Sequence, residues 1–385
     1  PTQPGNRWSV IPASQQRAAL AALTAHCHTP EDLTKHQYLL QPYGPADLEA
    51  LRKCKHCGGI QKKIQTSAIT KCTYHPGQRK PYRIDKDRAY TCCGETGRGC
   101  TSRPEHDYLP PDRWLVTKFQ EYASTPACSH TRKRPAVTLD CEMAGVVGNV
   151  GQVVVLLCAA DYLTGETIIN KLVQPTSRVV DWRTRVSGVT KQTMADAIAC
   201  GEALAGWREA REELWKYVDE DTVLIGHSLQ NDLDVLKVIH ANVVDSAILA
   251  RNAVNSGGRL WGLKGLCEEL LGVDVQTNGM RGHDCLEDVM ATREVVLCCT
   301  REPGKLQGWA EEARAREEAL KVQREIERLE KKKQAEREKV ERERKERKQR
   351  QRAEEYSEDE VVLWSDIAED LGWPHPNTGY DPWSD

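Results

Sequence analysis

The sequence predicts an α/β chain: a mixed sheet flanked by helices, with a small Cys/His module before it and a long charged helix after it. Three observations lead there. Short β-branched runs, followed by alternating helical and strand patterns, fill residues 136–302. Six of the 15 cysteines crowd into residues 54–100. Residues 309–352 are dense in Glu, Lys and Arg. At 385 residues the chain has room for one full domain and a smaller module.

Taken in order, residues 1–50 form an N-terminal region with one helical stretch, 14–24, for which Ser14 is the expected cap. The Cys/His segment occupies 51–110. Residues 111–135 read as a linker that ends in the basic stretch 131–134. From Pro135 the pattern turns to strands at 137–140, 153–159 and 167–173, with turns at 148–151 and 164–165, which predicts an antiparallel meander. Helices are expected at 191–199 and 201–218. A short buried strand, 222–225, leads to a helix from Ser228. A second, 243–245, precedes a helix at 263–271, and a last helix runs from Asp284 toward Cys299.

Residues 305–353 place Glu four positions before a cation at Glu327–Lys331, Glu338–Arg342, Glu341–Lys345, Glu343–Arg347 and Glu346–Arg350, the stabilising order on a helix. The apolar stripe Val322, Ile326, Leu329 meets Lys333 and Glu336 before Val340. A solvated single helix is therefore expected ahead of a coiled coil. The acidic tail, 354–385, is expected to be disordered.

A net charge of −3 hides strong asymmetry. Residues 44–135 carry an excess of about nine positive charges, 136–300 about nine negative, 309–352 about five positive, and the tail about ten negative. An acidic sheet domain beside a basic module suits an enzyme that uses cations for chemistry and a separate surface to hold phosphate. No apolar run is long enough to cross a bilayer and no secretory signal opens the sequence, although its first residue, Pro1, leaves room for a longer precursor. The chain is expected not to be secreted, so its cysteines point to metal rather than to disulfides. Cys158, Cys200 and Cys267, in apolar surroundings, are expected to be core thiols.

Asp140 and Glu142 stand two apart at the end of a strand. Period two puts both on one face, while Leu139 and Cys141 point into apolar packing. Two adjacent carboxylates repel unless they share a divalent cation. Asp232 closes Gly226-His-Ser-Leu-Gln-Asn-Asp232, where a buried strand hands over to a helix that lifts the carboxylate above the sheet edge. Alone it would be an acidic residue favoured by the helix dipole, and His227 is expected to be a hydrogen-bonded structural histidine. In Gly282-His-Asp-Cys-Leu-Glu-Asp288, His283 lies before a helix and Asp288 on its inner face. Asp284 is the expected N-cap, and Glu287 faces water.

Together these segments resemble the DEDDh (DnaQ-like) 3′→5′ exonucleases, and among them the Rex-type RNA exonucleases. Leu139-Asp-Cys-Glu-Met143 is similar to their first motif, the segment ending in Asp232 to their second, and His283-Asp-Cys-Leu-Glu-Asp288 to their third. Arg185-Val-Ser-Gly-Val-Thr190 also resembles their stretch before the first long helix. Leu233 departs from the aromatic residue such enzymes often carry there. The resemblance covers residues 136–300. It implies a ribonuclease H-like sheet and two Mg²⁺ or Mn²⁺ ions held by Asp140, Glu142, Asp232 and Asp288. It also implies His283 as general base and nucleoside 5′-monophosphate products.

Eight metal ligands are offered by the basic module: Cys54, Cys57, Cys72, His75, Cys92, Cys93, Cys100 and His106. Cys54-x2-Cys57 and Cys72-x2-His75 have the spacing that lets two ligands grip one tetrahedral Zn²⁺, and eight ligands make one or two structural sites. The Tyr74-His-Pro-Gly77, Cys92-Cys93-Gly94 and Gly99-Cys100 elements resemble zinc segments of some Rex-type and CHORD-type proteins. Lys53, Lys55, Lys62, Lys63, Lys71, Arg79, Lys80 and Arg83, with Tyr74 and Tyr82, offer a surface for nucleic acid.

The expected function is 3′→5′ trimming of RNA ends in RNA processing or turnover. The alternatives are a DNA 3′→5′ exonuclease, or an interaction protein built on the zinc module. The expected partners are RNA 3′ ends and a protein bound through the charged helix and acidic tail, with no membrane. Lys/Arg-rich stretches at 331–333 and 342–352 are compatible with nuclear import, the expected compartment, with the cytoplasm as the alternative.

Overall fold

The computed structural model describes residues 8–67, 70–81, 87–127, 133–147, 151–255, 261–277 and 282–359. They fall in two units, Pro1–Glu312 and Ala313–Asp385.

The first unit is built on a six-stranded mixed sheet. Strands β1 (Ala136–Val146), β2 (Gln152–Asp161) and β3 (Thr167–Leu172) form the antiparallel meander, and β4 (Val179–Asp181) pairs with the end of β1. Strands β5 (Val223–Gly226) and β6 (Val243–Asp245) join in parallel, giving the order β6-β5-β1-β2-β3 with β1 at the centre. Its longer helices are α1 (Ala13–Thr24), α2 (Arg113–Gln120), α3 (Lys191–Ala199), α4 (Trp207–Trp215), α5 (Gln230–Leu236), α6 (Ser246–Val254) and α7 (Cys285–Arg301). A last helix, α8 (Pro303–Asp359), runs into the second unit.

Alternation along β1 decides which face does what. Leu139 and Cys141 join Leu157, Leu214, Leu224 and Leu236 in the main core. On the opposite face α7 packs Cys285, Val289 and Met290 against Cys158 and Ala160. Burying a Leu or Val side chain stabilises by about 1.5–3 kcal/mol, so this two-sided packing fixes the register of β1.

The N-terminal region is more structured than its pattern suggests. Leu33 and Tyr38 belong to the main core, and Trp8 packs against the α7 cluster. The fully buried Arg293 of α7 donates from Nε to the Tyr162 carbonyl at 2.7 Å and from Nη1 to the Ser9 carbonyl at 3.0 Å. Pro12, not Ser14, occupies the α1 N-cap position.

Several expectations are corrected. The supposed linker 111–135 contains α2 and the strand Ala123–Ser124, which pairs in parallel with Val238–Ile239. Lys118 pairs with Asp234 at 2.7 Å, and Tyr43 stacks on Phe119. The helix expected from 201 starts only at Trp207, because Gly201 and Gly206 adopt φ of +70° and +91°. The helix expected at 263–271 is one α turn followed by a π turn, Cys267–Leu271. Helix α6 was not foreseen: six of its nine residues are buried, which erases the amphipathic period. Cys158 and Cys267 are buried, but Cys200 is exposed at the end of α3.

In the second unit α8 exposes Val322, Ile326, Leu329 and Val340 by 45–60%. Of the spaced pairs, Glu341–Lys345 closes to 3.0 Å. Gly148, Thr131 and Arg132 of the basic stretch, Tyr82, Arg83 and the tail from residue 360 lie outside the described residues. Among the described residues no helix is long and apolar enough to cross a membrane.

Candidate active site

The face of β1 opposite the main core carries Asp140 and the buried Glu142, and a bulge shifts the pairing with β2 just after Glu142. The start of α7 meets that face. Oxygens of Asp140 and Glu142 and the Cys285 sulfur lie within 4.8 Å of one another, and so do Glu142, Asp288 and a ring nitrogen of His283. Glu142 is common to both groups. Asp232, in the first turn of α5, joins neither. Its Oδ1 accepts the Cys141 N–H at 2.9 Å, and the Asp140 charge acts on it.

The cluster is uncomfortable as bare acid. Burial, then the Asp288 charge, pushes Asp140 up to about 7, although the Cys285 thiol donates to Oδ2 at 3.4 Å. Burial, then Asp140 and Asp288, pushes Glu142 up to about 8. Burial and Asp140 raise Asp232 well above the usual carboxylate range, against the opposing Cys141 N–H. Asp288 is raised by burial and held back by Gln276 and His283. Among the described residues no Lys or Arg shifts Asp140 or Glu142. Buried hard oxygen donors with no balancing Lys or Arg among the described residues fit a divalent ion such as Mg²⁺ or Mn²⁺.

His283 is seated by backbone. Its N–H donates to the Val186 carbonyl at 2.7 Å. Gly282 has φ +87°, and a Cβ there would stand 2.3 Å from the Gly188 nitrogen. The stretch 185–190 therefore fixes where the histidine loop lies. The ring is about one-third exposed, with Nδ1 3.3 Å from Asp288 Oδ2. Asp284 caps α7 by accepting from Leu286 and Glu287 at 3.0 and 3.3 Å. Glu287 does not simply face water, since its Oε2 accepts the Gln276 N–H at 2.8 Å. His227 is hydrogen-bonded to Ser246 Oγ at 2.8 Å.

Sequence reasoning missed three residues around this site. Cys285 sat inside a quoted motif but has no role that spacing reveals. Gln276 reaches Asp288 from a loop without pattern. Asp245, fully buried, accepts the N–H groups of Ser228, Leu229 and Ala247 at 2.8–3.0 Å and the Tyr38 hydroxyl at 2.5 Å. It thereby holds the turn entering α5, the helix of Asp232. An Asp before a helix reads as a cap, but Tyr38 lies 207 positions away and gives no local signal.

The eight Cys/His ligands divide into two tetrads: Cys54, Cys57, Cys72 with His106, and His75, Cys92, Cys93 with Cys100. Cys72 and His75, whose spacing would allow them to share one ion, fall in different tetrads. Cys72–Tyr74 is a strand paired with Thr101–Arg103, so at about 3.3 Å per residue it carries His75 away from Cys72 to the other tetrad. A tetrahedral ion with metal–sulfur bonds of about 2.3 Å needs sulfurs about 3.7 Å apart. Cys54 and Cys72 are 3.6 Å apart, Cys92 and Cys100 3.5 Å, and Cys92 and Cys93 3.9 Å. Burial would raise the Cys54 thiol, but the N–H groups of Cys57 and His56 outweigh it and bring the group to about 6, which favours the ligating thiolate.

Comparison with known proteins bears on the sheet domain. Residues 137–296 match the family model described as Exonuclease. RNA exonuclease 3 of Candida albicans is 28% identical over 67% of this chain and 61% of its own length. RNA exonuclease 3 of Saccharomyces cerevisiae is 29% identical over 76% of this chain and 70% of its own. Small RNA degrading nuclease 2 of Arabidopsis thaliana is 32% identical over 50% of this chain, which spans only 40% of that relative. The similarity to the exonuclease family thus spans the sheet domain that carries the carboxylate cluster.

Proposed function

We propose that the chain is a metal-dependent 3′→5′ exoribonuclease of the DEDDh type, releasing nucleoside 5′-monophosphates in RNA processing or turnover. The observation that carries this reading is the meeting of Asp140, Glu142, His283 and Asp288 around one shared carboxylate inside the exonuclease domain. The names of its relatives favour RNA over DNA.

Asp140, Glu142, Asp232 and Asp288 would hold two Mg²⁺ or Mn²⁺ ions. Bound there, such ions polarise the phosphate and make the attacking water more acidic. The protein supplies the remaining parts. With Nδ1–H turned to Asp288 Oδ2, His283 keeps its lone pair on Nε2, the tautomer that accepts a proton from water. The backbone bond to Val186 fixes the loop and the Asp288 contact orients the ring, so the base is placed before substrate arrives. Each Cys/His tetrad would hold one structural Zn²⁺, and the basic residues of the module would hold the RNA backbone.

The test uses purified full chain with Mg²⁺ or Mn²⁺ on matched 3′-labelled single-stranded RNA, DNA and duplexes. Single-stranded RNA should shorten from its 3′ end to nucleoside 5′-monophosphates, and a 3′-phosphate should slow it. Cleavage of circular RNA at a comparable rate would overturn the exonuclease assignment.

A further inference from the structure

Gln276 stands in the segment between the π turn and α7, after the fully buried Val275. It is not glycine, yet its backbone adopts φ +56°. L-residues avoid that region unless their surroundings enforce it, and such strain collects at functional sites. Here both ends of the residue are used. The backbone N–H donates to Glu287 Oε2 at 2.8 Å. The side-chain amide donates to both oxygens of Asp288, at 3.0 and 3.2 Å.

Asp288 is thus held from two sides, by the Gln276 amide and by the His283 ring at 3.3 Å from Oδ2. A carboxylate on the first turns of a helix can rotate about its terminal bond. The forked contact from one amide nitrogen stops that rotation. It does so without adding charge, so the acid stays a competitive ligand, which a Lys or Arg in the same place would weaken. Oδ1 also keeps a further lone-pair direction, whereas Oδ2 already meets both the Gln276 amide and the His283 ring.

We infer that Gln276 is a positioning residue for the exonuclease chemistry: it locks the Asp288 carboxylate in the orientation that faces Glu142 and His283, and so sets divalent-metal affinity and turnover. The inference rests on the reading of the carboxylate cluster as a divalent-metal site.

The deciding variant is Gln276→Gly. Glycine accepts φ +56° and keeps the N–H to Glu287, so only the amide is lost. Mn²⁺ affinity is measured by calorimetry on the full chain without RNA, and kcat and KM on single-stranded RNA. The expected result is an unchanged melting temperature, Mn²⁺ affinity or kcat lowered about 10- to 100-fold, and little change in KM. Gln276→Ala should lose the same function while keeping the backbone cost that glutamine already bears at φ +56°, so agreement of the Gly and Ala variants assigns the loss to the amide. Gln276→Gly with wild-type Mn²⁺ affinity and wild-type kcat overturns the inference while leaving the metal site standing. A wild-type chain that takes up no Mn²⁺ beyond the Cys/His tetrads, judged against Asp140→Ala, overturns the site and this inference together.

Discussion

Glu142 is the residue whose charge the site most clearly fails to balance, and Glu142→Gln removes that charge at nearly constant volume. In the metal-free protein Glu142 is held at about 8 instead of 4.5. For a carboxyl raised on folding, the favourable contribution is fully present below about pH 4.5 and is lost as pH rises through about 8. At 1.36 kcal/mol per pH unit, ionising it in the metal-free site costs roughly 4 kcal/mol at pH 8 as a ceiling. Asp140 feels the same repulsion and takes up part of the proton, so about half, roughly 2 kcal/mol, is the expected gain from the substitution. That corresponds to a melting temperature higher by on the order of 3–6 °C at pH 8, shrinking toward nothing at pH 4.5–5. The assay is thermal unfolding across that range in resin-stripped buffer, since strong chelators would also attack the Cys/His tetrads. Added Mn²⁺ should stabilise the wild type increasingly as pH rises and the variant hardly at all. Identical melting curves for the two proteins from pH 5 to 8 would show that the cluster stores no such repulsion, and the divalent-ion argument would fall with it.

His283→Ala should change Mn²⁺ affinity little, because four carboxylates remain and the Gln276 amide still holds both oxygens of Asp288, but lose turnover by about 10²–10⁴-fold and flatten the acid limb of the pH–rate profile. A near-normal rate with that limb intact would remove the histidine from the chemistry. For the module, elemental analysis should find two zinc ions per chain. Cys57→Ser and Cys93→Ser should each lose one, from different tetrads; loss of both ions in either variant would deny that the tetrads are separate.

The sheet was legible because its pattern is carried by local chemistry. Strands β1 to β3 show period two or continuous β-branched runs between turn residues, and their antiparallel order follows from short connections. The strand-borne Asp140 and Glu142 could be placed on one face for the same reason. What could not be read depends on contacts between distant segments. Nothing in Val275-Gln-Thr277 announces a bond to Asp288, and nothing near Tyr38 announces Asp245. The ligand partition was not legible either, because Cys-x2-His has the spacing of a chelating turn, whereas pairing with Thr101–Arg103 extends it into a strand. Helix α6 was invisible because burial on nearly all sides leaves no polar face.

The path of the chain gives the Cys/His module a constraint that its ligands alone would not. Residues 8–40 pack on the sheet and on α7, residues 51–110 form the module, and α2 with Ala123–Ser124 comes back to α5 and to Val238–Ile239 just after it. The module is therefore an insertion into the catalytic body, tied at both ends, rather than a bead on one string. A bead on one string sweeps a cone and presents its surface at every bearing. A doubly tied loop cannot, so a strand gripped by the module would meet Asp140 and His283 along a fixed line of approach. Its two anchor points act as a guide rail, and lengthening either tether would loosen aim before it loosened grip.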